Sequence, residues 1–135
     1  MSGFALDPRL EADSVFVADL GLSQLRLQND ARYVWCVLVP RREKLMELDD
    51  LSAEDRAALI EEAVAVGAAI RAIAPVDKIN TGALGNIVRQ LHVHVIGRRE
   101  GDAAWPGPVW GHGAVEPYEA AVLEARITAL RKAAA

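Results

Sequence analysis

The sequence predicts an α+β fold, a mainly antiparallel sheet with a long central helix and a C-terminal helix. Three observations carry this reading. Alternating or apolar segments of strand length cluster before Pro40. A helical stripe then runs from Leu59 to Ile73. A further alternating segment is followed by a last helical stripe. The length of 135 residues fits one domain, residues 1–135.

Taken in order, Ser14 to Leu20 alternates and carries β-branched residues, so it reads as a strand. Ser23 to Gln28 puts Leu25 and Leu27 on one face and reads as a second, and Asn29-Asp30 is turn chemistry. Tyr33 to Val39 is a continuous apolar run stopped by Pro40, as in a buried central strand. These three form an expected antiparallel meander. Ser52 caps the long helix, Asp55 stands where a capping box wants an acid, and Pro75 ends it. Leu59, Ala63, Val66, Ile70 and Ile73 form its core stripe. Asp77 to Asn80 reads as a short strand, Thr81 to Asn86 as a loop, and Arg89 to Gly97 as a strand by strict alternation. A Trp/Pro/Gly-rich segment spans Asp102 to Gly113. Pro117, at the first turn, opens the last helix, about residues 117–133, with Ala120, Leu123, Ile127 and Leu130 as its stripe.

The charge of −4, with no long run of Lys or Arg, argues against nucleic acid and anionic membrane surfaces as partners. A small anionic ligand needs only a local pocket and stays open. Cys36 is the only cysteine, which excludes an internal disulfide and a cysteine-rich metal site. Met1 to Leu10 shows no secretion signal, and no stretch reaches the length of a spanning helix, so a cytoplasmic protein is expected.

The chemistry sits in Gln90-Leu91-His92-Val93-His94-Val95-Ile96. On a strand Gln90, His92 and His94 project together, about 6–7 Å apart between neighbours, while Leu91, Val93 and Val95 point into a core. Three readings of the pair are open. They are solvated or structural histidines, or two ligands of a metal completed by His112 or Asp102, or a site identified by the residues around the pair.

The segment resembles the histidine triad (HIT) signature, three histidines alternating with apolar residues. Gln90 takes the first His position, His92 the middle and His94 the last, followed by Val95 and Ile96. Gly85, five residues before Gln90, stands where that family has a glycine of its phosphate loop, and Asn80 where it has an asparagine that reaches phosphates. Lys78-Ile79-Asn80 with Gly82 and Leu84-Gly85-Asn86, Leu38-Val39-Pro40-Arg41 and the helix start Leu51 to Arg56 also look like the family. The resemblance covers about residues 14–113. Reading His92 as the first triad member instead would put Gly85 too far upstream.

The resemblance implies a nucleotide-binding hydrolase of the dinucleoside polyphosphate or nucleoside phosphoramidate class. His92 would attack the α-phosphate and form a nucleotidyl-histidine, with its other ring nitrogen donating to a backbone carbonyl. His94 would contact phosphate oxygens, and Gln90 would orient the nucleophile. Asn80, Gly85 and Asn86 would bind the phosphates, and Asp19, on the first strand, the ribose. No metal or other cofactor is implied, and the usual single-domain member is a homodimer. A second apolar row on the long helix, Ile60 and Val64 with Gly67, fits a partner subunit or cover by the last helix.

Two positions depart from the usual pattern. Gln90 cannot relay a proton, and Ile87 replaces the usual Ser or Thr near the leaving group. The alternative function is therefore a nucleotide-binding module with negligible turnover. With Trp105-Pro106 and Pro108-Val109-Trp110-Gly111, the Gln-first pattern resembles a bacterial subgroup of the family. Trp105 and Trp110 are read as loop anchors or as a pocket rim, Phe16 and Leu38 as core or as base neighbours. Arg41, Arg42, Arg98 and Arg99 are expected to face solvent, His112 to lie in a loop, and Cys36 to be buried.

Overall fold

Asp7 accepts the Arg9 backbone N–H on its carboxylate and Pro8 occupies the first turn, so a short helix forms, α1 (Pro8–Asp13). Periodicity gives no hint of this helix; its signal is the Asp-Pro pair. The computed structural model describes residues 3–135, so the first two positions of the expected domain lie outside the described residues.

Three strands follow: β1 (Ser14–Asp19), β2 (Ser23–Gln28) and β3 (Val34–Pro40). They pair antiparallel as the expected meander, with a register shift in β1 around the buried Val17. Every residue of β3 is buried, because β2 flanks it on one side and β5 (Val93–Arg98) on the other. The edge strand β4 (Lys78–Gly82) completes a five-stranded antiparallel sheet in the order β1-β2-β3-β5-β4. The α+β expectation holds.

The long helix α2 (Ala53–Ile73) starts where expected, with the Ser52 hydroxyl accepting the Asp55 N–H at 3.1 Å. The Asp55 carboxylate pairs with Arg42 at 3.0 Å, so Arg42 is tethered to the helix start. Leu59, Ala63, Val66 and Ile70 bury their stripe against Leu25, Leu27, Cys36, Leu38, Val93 and Val95. The helix lies close on the sheet because position 97 has no side chain. A Cβ on Gly97 would come within 2.7 Å of Ile70 Cγ2 and 3.0 Å of Val76 Cγ2. The C-terminal helix α3 (Ala120–Ala133) adds Ile127 and Leu130 to this core. It does not cover the second row of α2: Ile60 and Val64 remain 59% and 63% exposed.

Three element boundaries differ from those expected. β5 begins at Val93, not Arg89. Extending its register would put Leu91 opposite Pro40, which has no N–H for the ladder, and the Leu91 N–H turns instead to the Leu45 carbonyl at 2.9 Å. β4 runs on to Gly82, into what reads as loop from sequence, because its pairing with β5 continues as far as His94. The last helix starts at Ala120, with Glu119 as its N-cap, so Pro117 lies ahead of it. There the buried Tyr118 fixes the approach by donating its hydroxyl to the Tyr33 carbonyl at 3.2 Å.

The face of the sheet opposite α2 carries a second cluster. Tyr33, Trp35, Val37, Val39 and Ile96 pack there against Leu10 of α1 and against Ala104 and Val109. Arg98 lies on this face too and is only 1% exposed, contrary to the solvent-facing reading. It shares a face with His94 and Ile96 by the strand period, and that face is covered. Its guanidinium binds the Asp102 carboxylate through Nε at 2.8 Å and Nη2 at 2.9 Å, and stacks on Tyr33 and Trp105. Trp105 is thus an anchor of the 102–113 segment.

Candidate active site

The segment anchored by Arg98 and Asp102 brings Trp110 down beside β5. It passes over Gly82, where a Cβ would meet the indole at 3.2 Å. The result is a cleft of about 460 Å³ on the face opposite α2. His92, His94, Trp35 and Trp110 form one wall, the loop from Leu84 to Val88 another, and Leu10, Asp13 and Gln28 a third. Clefts of about 300 and 380 Å³ elsewhere contain no histidine.

Each ring is held by a single directional bond. His92 Nδ1 lies 2.7 Å from the Gln90 backbone carbonyl. A carbonyl only accepts, so Nδ1 carries a proton, and in the neutral ring Nε2 then holds the lone pair. His94 has the opposite tautomer. The Trp35 indole N–H donates to His94 Nδ1 at 2.8 Å, which leaves the proton on Nε2. The two rings stand edge to face with centroids 5.0 Å apart. Trp110 closes on the other side of His94 at 5.3 Å. The wall therefore offers a nucleophilic nitrogen next to a hydrogen-bond donor. Both rings are buried.

Burial, with the nearby His92 adding repulsion, pushes His94 down from 6.5 to about 4. Its ring stays neutral, as donation from Trp35 requires. The sign of the pH effect follows. Between about 4 and 6.5 the unfolded chain takes up a proton on this histidine that the folded chain refuses. Stability is expected to fall by about 3 kcal/mol as pH drops through that window, at about 1.4 kcal/mol per pKa unit. His94→Gln removes this component. Denaturant unfolding at pH 7 and pH 4 should show a smaller acid loss in the variant, and equal losses in the two proteins would refute it.

A family model described as the HIT domain matches residues 9–101. The chain belongs to the histidine triad family. A histidine triad protein from Sinorhizobium meliloti is 48% identical, with 96% of each chain covered and a TM-score of 0.94. One from Bradyrhizobium japonicum is 43% identical over 98% of each chain, at a TM-score of 0.95. A third, from Marinobacter aquaeolei, is 37% identical over 96% of this chain and 95% of that one, at 0.93. No curated protein matches the chain.

In this histidine triad protein four of the seven site residues read from sequence, His92, His94, Gly85 and Asn86, line the cleft. Gly85 is left-handed, with φ +72°, a conformation that favours glycine. The other three are elsewhere. Asp19 sits at the end of β1, paired with Arg41 at 3.3 Å, outside the cleft. Asn80 pairs with Ile96 on the same face of the sheet but does not line the cleft, its Oδ1 accepting from the buried Arg98 through Nη1 at 2.8 Å. Gln90 is off the strand. Its side chain does not join the row expected from alternation and instead bonds the N-terminal segment. Leu38 is in the α2-side core and Phe16 is exposed outside the cleft, so neither flanks it.

Sequence reasoning missed Leu10, Asp13, Gln28 and Trp35. Trp35 had one available signal: an indole in a buried strand needs an acceptor for its N–H. What lacked was the register that sets it near His94. Of the weighed metal ligands, Asp102 is engaged by Arg98 and His112 is exposed in its loop. Among the described residues no group of three or more His, Cys, Asp or Glu is arranged to hold a metal ion. Among them, too, no helix is long and apolar enough to cross a membrane.

Proposed function

We propose that the cleft binds a nucleotide and that His92 cleaves its phosphoanhydride or phosphoramidate bond through a nucleotidyl-histidine. The observation that carries this reading is the pair of hydrogen bonds, from His92 Nδ1 to the Gln90 carbonyl and from the Trp35 indole to His94 Nδ1, which give two adjacent, buried neutral rings opposite tautomers. The His92 Nε2 lone pair attacks the α-phosphorus as the bond to the leaving group breaks. The leaving group departs with the electron pair, and water then attacks phosphorus and frees His92. His94, with Nε2–H fixed by Trp35, donates to the phosphate oxygens, and the backbone of the loop around Gly85 and Asn86 adds further donors. No step calls for a metal or other cofactor. Dinucleoside polyphosphates and nucleoside phosphoramidates are the substrate classes that match.

The remaining walls suit the nucleoside. Leu10, Trp35, Leu84, Ile87 and Val88 provide apolar surface for a base. Asp13 and Gln28 are polar groups available to sugar hydroxyls, a task expected of Asp19. Ile87, 79% exposed, offers no proton to a leaving group. This favours slow turnover and keeps open a nucleotide-binding module as the second reading. A panel of nucleoside monophosphates, dinucleoside polyphosphates and phosphoramidates, followed by intact-protein mass measurement, tests both. An adduct of one nucleotide mass, lost on hydrolysis, is expected; binding without adduct or turnover would leave only the module.

The functional unit is a homodimer in the cytoplasm. The exposed Ile60 and Val64 flank an apolar cleft of about 340 Å³ with Gly67, Ile79 and Thr81, beside the edge strand β4. A two-fold partner placed there covers both the apolar row and the unpaired edge. Light scattering at micromolar concentration should give twice the chain mass of 14.6 kDa. A single-chain mass unchanged on concentrating would sink the dimer.

A further inference from the structure

Gln90 stands at the first triad position, yet its carboxamide points at the beginning of the chain. Its Oε1 accepts the Asp7 backbone N–H at 2.8 Å, and its Nε2 donates to the Ala5 carbonyl at 2.8 Å. An amide offers donor and acceptor side by side, matched to a backbone N–H and C=O two residues apart. An imidazole directs its two nitrogens in divergent directions and would keep only one of these bonds. A further tie comes from Arg9, whose Nη1 donates to the Ile87 carbonyl at 3.2 Å. Phe4, Leu6 and Leu10 pack on the aromatic cluster of this face. The tied segment then runs directly into Leu10 and Asp13 on the cleft wall.

We propose that Gln90 is a positioning residue that latches the N-terminal segment, Ala5 to Asp13, in place as one wall of the nucleotide cleft, and that nucleoside affinity depends on this latch. One residue thus serves both ends of the ligand. Its main-chain carbonyl fixes the His92 ring at the phosphate end, and its side chain fixes Leu10 and Asp13 at the nucleoside end. The proposal rests on the nucleotide reading of the cleft, but the latch can be measured without any nucleotide.

The variant is Gln90→Met, which keeps chain length and the carbonyl to His92 while removing the amide. Exchange of the Asp7 amide proton should quicken by about tenfold or more, because that N–H loses its acceptor and the segment loses its second tie at the Ala5 carbonyl. Adenosine and guanosine 5′-monophosphates should bind about tenfold more weakly, while inorganic phosphate, which reaches only the His92–His94 end, should change by less than about twofold. Unchanged Asp7 exchange would overturn the latch. Equal losses for phosphate and for the monophosphates would also overturn it, since Gln90 would then be acting through the His92 ring. Leu10→Ala supplies a check that leaves Gln90 intact. It should weaken monophosphate binding and spare phosphate, and no effect on the monophosphates would remove the segment from the wall. Failure of wild type to bind any monophosphate would defeat the nucleotide reading and the wall with it, whereas Asp7 exchange would still decide whether Gln90 holds the segment.

Discussion

Replacing His92 with alanine is expected to lower turnover by several powers of ten while nucleotide affinity stays within about tenfold. The substitution deletes the nitrogen that bonds to phosphorus and leaves the rest of the cleft standing. His94 keeps its proton on Nε2 because its partner is Trp35, and the loop around Gly85 does not depend on the His92 side chain. Single-turnover kinetics and equilibrium binding on the same preparation separate the two quantities. A variant that loses binding but keeps the residual rate would take His92 out of the nucleophile's place. Wild-type turnover no faster than that of the variant would leave the binding module as the function.

Arg98→Leu is expected to cost about 3–5 kcal/mol of stability, the range for breaking one side of a buried ion pair. Asp102 would be left with its carboxylate enclosed and its two-point partner gone. Burial works to raise this carboxyl, and the bonds from Arg98 and from the Arg99 and Trp105 N–H groups hold it below its usual value. Without Arg98 the burial effect gains ground, so Asp102 takes up a proton at higher pH. The deficit of the variant should therefore shrink as pH falls towards 5. Chemical denaturation across pH 5–8 measures this, and a deficit that is small or independent of pH would mean the pair is better solvated than its 1% and 8% exposures imply.

Much of the fold was legible because it obeys local rules. The continuous apolar run at β3, the Ser52 cap and the stripe of α2 each declare themselves within a few residues of sequence. The paired histidines were legible by strand alternation, and the family resemblance supplied their order. Misreadings fall where a residue's fate depends on something distant. Arg98 and Asn80 look like surface and phosphate groups until β4, β5 and Asp102 are brought together. Gln90 obeys the alternation of a strand that stops before reaching it, because Pro40 ends the ladder. Asp19 and Asp13 lie at opposite ends of one strand's neighbourhood, and only the packing of α1 decides which faces the cleft.

The placement of Cys36 makes the protein its own clock for unfolding. It is the only cysteine, it is fully buried in the middle of β3, and burial pushes its thiol up to about 12. A thiol reagent reacts with thiolate, so the folded chain is closed to it on both counts, by access and by ionisation. Labelling must wait until β3 leaves the sheet, an event that dismantles the core on both faces. At high reagent concentration the labelling rate then equals the rate of global opening, without any added probe. Ligands that bind the cleft slow that rate in proportion to how much they favour the folded chain.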